Sequence, residues 1–150
     1  MISNILHVGL TVSDLDRSIA FYRDVLGLTY QGALTMEGPA TEALFARPNC
    51  RARVAYLNGS DVLEFPPVEL IQFTSEQAVA QKADLFQTSI SELCFHTEDL
   101  WAEYRRLKSL GVVFLSEPQA FDFTADGFGK SLAVYFKDPD GIILELMEPH

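Results

Sequence analysis

Four side chains in this chain have the type and placement to do chemistry: His7, Glu69, Glu92 and Glu145. Glu69 lies within V-E-L-I-Q-F and Glu145 within I-L-E-L-M, so each is an isolated carboxylate in an apolar stretch of strand character. Burying such a group costs desolvation free energy unless it is paired or bound to a cation. A divalent metal is one good compensator, and an imidazole with carboxylates makes a ligand set for it. Taken singly, the four say little. A strand histidine is usually a hydrogen-bonded structural residue, and a strand glutamate usually reaches water at a sheet edge. Their recurrence along the chain is what lifts the joint reading.

The chain repeats itself. Residues 7–15 read H-V-G-L-T-V-S-D-L and residues 92–100 read E-L-C-F-H-T-E-D-L. In both, a short apolar strand runs into Asp-Leu, then a helical stretch, then Leu-Gly (Leu26-Gly27 and Leu110-Gly111). Each copy closes with an aromatic strand, A-Y-L or V-Y-F, and then an apolar strand carrying one Glu. The repeat makes His7 equivalent to Glu92 and Glu69 equivalent to Glu145, so two related modules can direct four ligands at one centre. His96 shares the face of Glu92, but four strand residues separate them, on the order of 13 Å. Both cannot hold one ion directly. The register favours Glu92 as the ligand and makes His96 the counterpart of Thr11, a substrate-side group further along the groove.

The elements that must position these residues follow from periodicity. Leu6, Val8, Leu10 and Val12 alternate with Ile5, His7, Gly9 and Thr11, a strand pattern. Ser13 is placed to cap the helix that follows, with Asp16 near a capping box. Leu15, Ile19, Tyr22 and Leu26 form its inner stripe, and Gly27 ends it. In the second copy Asp99 caps a helix with Leu100, Tyr104, Leu107 and Leu110 inward, stopped by Gly111. Residues 32–50 read as a loop with some helix, and 121–130 as a Gly- and aromatic-rich loop before a strand at 131–136. Asp138-Pro139-Asp140-Gly141 is a turn joining the last two strands as a hairpin. Two helices and roughly eight strands, with the strands in runs after each helix, give an α+β fold. The expected organisation is a single domain over 1–150. It divides into a first module at 1–74, a linker or flap at 75–88 and a second module at 89–150.

Composition narrows the function. The 48% apolar content is enough for a core, which argues against disorder. The net charge of −10 argues against a nucleic-acid partner, whose phosphates need a basic surface. Arg47, Arg51 and Arg53 could attract an acid locally, but a solvated strand and loop is the simpler account. No apolar run approaches a membrane span, and the N-terminus lacks a basic region followed by an apolar stretch, so the expectation is a cytoplasmic protein with no membrane partner. Cys50 and Cys94 fit no disulfide framework or zinc-knuckle spacing. Exposed sheet edges on two such modules invite pairing with a second copy, and a homodimer is expected.

Three segments carry a family resemblance: H-V-G-L-T-V-S-D-L-D-R-S-I-A-F-Y-R-D-V-L-G-L near the start, V-E-L-I-Q-F, and Y-F-K-D-P-D-G-I-I-L-E-L-M-E-P near the end. The chain resembles the vicinal oxygen chelate superfamily, which includes glyoxalase I, methylmalonyl-CoA epimerase, extradiol dioxygenases and the fosfomycin- and bleomycin-resistance proteins. The resemblance implies two tandem βαβββ modules, a mixed sheet curled into an incomplete barrel, and a metal set of His7, Glu69, Glu92 and Glu145. The position of Glu92 is usually His in metal-dependent members. One imidazole with three carboxylates is a hard, oxygen-rich set, suited first to Mn, Fe, Co, Ni or Mg and after them to Zn. Three carboxylates overcompensate a divalent charge, which leaves one to hold a proton or to act as a base. The two-His, one-carboxylate triad of a ring-cleaving dioxygenase is missing, which ranks that activity last.

The leading expectation is therefore a divalent-metal-dependent isomerase, lyase or epimerase. It would take a small substrate with vicinal oxygens and transfer a proton α to a carbonyl through a metal-bound enediolate. Glu145 is the first candidate for the base, by family position, and Glu69 the second. His96, Phe123, Phe128 and Tyr135 are the candidate substrate-binding residues, with ordinary core as the competing account of the three aromatics. The alternative from another class is a non-catalytic small-molecule binder of the bleomycin-resistance type. Metal content and enediolate-forming activity separate the two.

Overall fold

The structure is a computed structural model that describes residues 2–80 and 82–150. It divides into two compact units, Met1–Ala80 and Gln81–His150. The class is α+β: the strands form two mixed sheets, one in each unit, and neither is a closed barrel.

In the first unit β1 (Val8–Thr11) leads into α1 (Leu15–Ala20). Asp14, not Ser13, caps this helix: its Oδ1 accepts from Arg17 N at 3.0 Å. Ser13 instead takes a hydrogen bond from the Arg17 guanidinium at 3.0 Å. The shorter aspartate reach to the third helical N–H satisfies an end group that the serine one residue earlier does not. The last turn, Phe21–Val25, widens to a π-helix, with Leu26 N donating to Phe21 O at 3.0 Å. Gly27 then reverses the chain at φ +83°, a conformation that a side chain would strain. β2 (Thr29–Met36), α2 (Pro39–Leu44), β3 (Ala52–Asn58) and β4 (Val68–Phe73) follow. The sheet order is β1-β4-β3-β2, with β1 parallel to β4 and the other pairs antiparallel. Residues 32–36, expected in a loop, are strand. Gly32, Thr35 and the bulge between Tyr30 and Gly32 blur the alternation, but the ladder to β3 supplies every backbone pair through Met36↔Ala52.

The second unit repeats this order. β5 (Leu93–His96) leads into α3 (Leu100–Ser109), where Asp99 Oδ1 accepts from Ala102 N at 2.8 Å, the expected cap. Gly111 leaves the helix at φ +84°. β6 (Val113–Phe114) and β7 (Gln119–Phe123) both pair with β8 (Gly129–Lys137), which pairs with β9 (Ile143–Pro149). β5 is parallel to β9. Two short strands thus take the place that one long β2 has in the first unit. Residues 121–123, expected in a loop, belong to β7. Every β7 residue is exposed and the alternation of Phe121, Asp122 and Phe123 is too short to mark a strand, so backbone pairing to β8 is what makes it one. The turn at 138–141 is as read: Asp138 Oδ1 accepts from Asp140 N at 2.9 Å and Ile142 N at 2.8 Å.

One face of each sheet packs on its helix. Leu10, Val12, Ala55, Leu57 and Leu70 are buried there with Leu15 and Tyr22. In the second unit Val134, Phe136, Leu144 and Leu146 are buried with Leu100, Tyr104 and Leu107. Gln72 also ties sheet to helix, accepting from Leu15 N at 3.3 Å and donating to Ser13 O at 3.0 Å. Because strand residues alternate, the opposite face of each sheet carries the remaining side chains. In the first unit this is the face of Gly9, Thr11, Tyr56 and Glu69. In the second it is the face of Cys94, His96, Tyr135 and Glu145. Among the described residues, no helix is long and apolar enough to cross a membrane.

Candidate functional site

The register makes the two carboxylates counterparts. Glu69 lies between Gly9 on β1 and Tyr56 on β3. Glu145 lies between Cys94 on β5 and Tyr135 on β8. His7 stands one residue before β1, and Glu92 one residue before β5. Both glutamates are buried, at 7% and 8% exposure, which for a carboxylate demands a partner.

Glu69 has two. The Tyr56 hydroxyl donates to its Oε1 at 2.6 Å, and His7 Nε2 lies 3.3 Å from its Oε2. The hydrogen bond to Glu69, helped by burial, pushes the Tyr56 phenol up to about 12. Tyr56 therefore stays protonated and a donor across ordinary pH. Gly9 makes room for this arrangement: a Cβ there would sit 3.3 Å from Glu69 Oε2. The pair of imidazole and carboxylate is held in place from the carboxylate side.

The second unit handles its carboxylate differently. Burial raises the Glu145 pKa above the usual carboxylate range; a hydrogen bond from Cys94 works against that rise, and the Glu92 charge adds to it. Loss of hydration, then the hydrogen bond to Glu145, pushes the Cys94 thiol up to about 12. Tyr135, the register counterpart of Tyr56, is raised by burial first and then by the charges of Glu145, Glu92 and Cys94. His96 lies on β5 opposite Met147, two residues beyond the Cys94–Glu145 pair and on the same face. Phe123 pairs with Gly129 and stacks on Phe121 at 5.7 Å, and register puts both rings on the Glu145 face. Phe128 lies outside the strands and is 85% exposed, so an ordinary core role does not describe it.

Among the described residues, no group of three or more His, Cys, Asp and Glu side chains is gathered closely enough to hold a metal ion. What each unit shows is a pair. His7 with Glu69 is a nitrogen and oxygen donor pair, and Glu92 with Glu145 is a pair of acids that repel one another. Both fit a hard divalent cation, which would relieve the repulsion in the second pair. The three arginines are each engaged in an ion pair: Arg47 with Glu76 at 3.0 Å, Arg51 with Glu37 at 3.2 Å and Arg53 with Asp16 at 2.8 Å. They do not form a free basic patch. Sequence reading missed Tyr56 and Cys94. The repeat itself points to Tyr56, since A-Y-L matches the V-Y-F from which Tyr135 was chosen. Cys94 carried no signal, because its partner Glu145 is fixed only by register.

The family model of the Glyoxalase/Bleomycin resistance protein/Dioxygenase superfamily matches residues 4–146. The chain belongs to that superfamily, whose members bind small molecules, generally depend on a metal and often form dimers. It is similar to a protein of Escherichia coli known as uncharacterized protein YaeR, 29% identical over 145 residues that cover 95% of this chain and 93% of the relative. It is also similar to a "probable lactoylglutathione lyase" of Vibrio cholerae, 27% identical over 146 residues, covering 96% of this chain and 89% of the relative. Among solved structures, a glyoxalase family protein from Bacillus cereus superposes with a TM-score of 0.84 at 20% identity, covering 99% of this chain and 95% of the other. At that identity the likeness speaks for the fold.

Proposed function

We infer that this chain is a divalent-metal-dependent isomerase, lyase or epimerase that moves a proton α to the carbonyl of a small substrate with vicinal oxygens. The observation that carries the reading is the unequal treatment of two buried, register-matched glutamates. Glu69 is clamped by the Tyr56 hydroxyl at 2.6 Å and by His7 at 3.3 Å. A carboxylate fixed through both oxygens suits an orienting role. Glu145 has the Cys94 thiol as its register neighbour and an acid, Glu92, close by. A weak S–H donor restrains a carboxylate less than a phenol does, so Glu145 is freer to turn and accept a proton. Glu145 is the proposed base, and Glu69 is the second candidate.

His7, Glu69, Glu92 and Glu145 are the proposed metal ligands. A divalent ion held by them would supply Lewis acidity that makes the α proton of the substrate easier to remove. Tyr56 orients Glu69 through its hydroxyl. Tyr135, Phe123 and His96 share the Glu145 face and are proposed to contact the substrate, with Phe128 at the edge of that group. The working unit is proposed to be a homodimer, which light scattering at micromolar concentration checks directly.

The experiment is a two-part measurement. Metal per chain is determined by mass spectrometry after purification without added metal and again after reconstitution. Lactoylglutathione and a panel of α-hydroxy- and α-ketoacyl compounds are then followed by NMR in deuterated water for exchange of the α proton. The reading expects a divalent metal and exchange that Glu145→Gln abolishes. A chain that takes up no metal under any reconstitution, and exchanges no α proton, overturns it and leaves the non-catalytic binder.

A further inference from the structure

The first unit contains a cavity of about 310 Å³, lined among others by Thr11, Phe45, Arg47, Cys50, Phe73 and Glu76. It lies on the sheet face that carries Glu69. Thr11 is two residues beyond Gly9 on β1, and Phe73 is four residues beyond Glu69 on β4, so alternation returns both to that face. At strand rise the cavity begins about 7 Å from the Gly9–Glu69 row and reaches about 13 Å along it. Its size is at the low end for ligand sites, enough for part of a substrate.

The lining says which part. Phe45 and Phe73 meet edge to face at 5.2 Å and form an aromatic wall. Cys50 is buried, and its thiol adds a soft, weakly polar surface. The Arg47 guanidinium and the Glu76 carboxylate pair at 3.0 Å, so the two charges in the wall offset each other. An incoming acid would have to displace Glu76 and approach a chain of net charge −10. The Thr11 hydroxyl is a neutral hydrogen-bonding group at the end of β1. Aromatic walls, neutralised charge and neutral hydrogen-bonding groups at Thr11 and Gln77 suit an uncharged ring or branched alkyl group.

We propose that this cavity, which begins about 7 Å along the sheet from the Gly9–Glu69 row, binds an uncharged aromatic or branched aliphatic arm of a substrate whose oxygens interact with His7 and Glu69. For its oxygen end alone, the assignment rests on the proposed function; the cavity itself does not. The arm sets specificity, since filling a shaped pocket discriminates between substrates that carry the same reacting oxygens.

The test uses the full chain stripped of metal, with benzyl alcohol as an arm without vicinal oxygens and phenylacetate as its acidic counterpart. Benzyl alcohol is expected to shift the amide resonances of Thr11, Phe45 and Phe73 saturably, and phenylacetate to bind about tenfold more weakly or worse. Ala78→Trp, which fills the cavity, is expected to weaken benzyl alcohol by a similar factor, and His7→Ala to leave it unchanged. In a Cys94→Ser background, benzyl alcohol should also slow modification of Cys50 by a small thiol reagent. That readout stands even if the tryptophan variant fails to fold. Unshifted amides, tighter binding of phenylacetate, or an unaltered Cys50 rate overturns the proposal. Failure to take up metal would sink the proposed reaction but would leave all of these measurements in place, so the two failures are told apart.

Discussion

Glu69 and Glu145 occupy the same register position in two copies of one module, each beside a tyrosine, yet their other neighbours differ. Tyr56 donates to Glu69 at 2.6 Å, whereas Glu145 has the Cys94 thiol beside it across the β5–β9 pair. A basic side chain, His7, stands where the second unit has the acidic Glu92. Gly9 leaves space beside Glu69 where Cys94 brings a sulfur to Glu145. The lesson is that a duplicated backbone can hold two carboxylates in one geometry while their surroundings give them different electrostatics. One is surrounded by donors and held. The other is surrounded by an acid and a weak donor, and its proton is held more tightly.

The comparison breaks first, and most visibly, on turnover. Glu145→Gln is expected to lower α-proton exchange by about a hundredfold or more while most of the metal stays bound, because it keeps an oxygen but loses the basic carboxylate. Glu69→Gln is expected to do the reverse, losing metal more than intrinsic exchange per bound ion. Equal behaviour of the two variants would mean that the neighbours do not divide the roles.

A second test concerns which residue of β5 and its approach belongs to the metal set. Glu92→Ala should strongly lower metal per chain, and His96→Ala should leave it near wild type, since roughly 13 Å of strand separates the two. If His96→Ala empties the protein and Glu92→Ala does not, the repeat has been aligned on the wrong polar residue, and the metal set is rebuilt around His7 and His96.

Stability offers a smaller contrast. Tyr56→Phe removes a hydrogen bond to a carboxylate and is expected to cost about 1.5–3 kcal/mol in denaturant unfolding of the metal-free protein. Tyr135→Phe removes no hydroxyl bonded to Glu145 and should cost well under that. Similar losses from both would show that Tyr135 holds Glu145 as Tyr56 holds Glu69.

The smallest effect is in pH dependence. The folded state raises the Glu145 pKa, so the folded protein binds that proton more tightly than the unfolded chain does. Ionising Glu145 therefore destabilises the fold. The cost is complete above the folded pKa and disappears as pH falls below the unfolded value. In metal-free protein Glu145→Gln should then raise the Tm at pH 7, and the gain should shrink as the pH approaches 4, near the ordinary glutamate value. A gain that grows toward acid would reverse the assigned direction.

Much of the architecture was legible because local chemistry decides it. The cap at Asp99, the chain reversals at Gly27 and Gly111, and the turn at 138–141 each depend on residues within a few positions of one another. The repeat was legible for the same reason, being a pattern in the order of residues. Residues 32–36 and 121–123 misled because edge strands with exposed or irregular side chains are held by backbone pairing, which leaves little mark on composition.

By itself, then, the sequence determined two α+β modules, matched carboxylates at Glu69 and Glu145, and His7 and Glu92 in corresponding places. Only the tertiary structure decided what those carboxylates touch. Tyr56 reaches Glu69 across 13 residues of chain, and Cys94 meets Glu145 through the parallel pairing of β5 with β9. The cavity draws on segments from Thr11 to Val79. Such contacts are set by strand register and by which face a side chain takes, and a shift of one residue would exchange every partner.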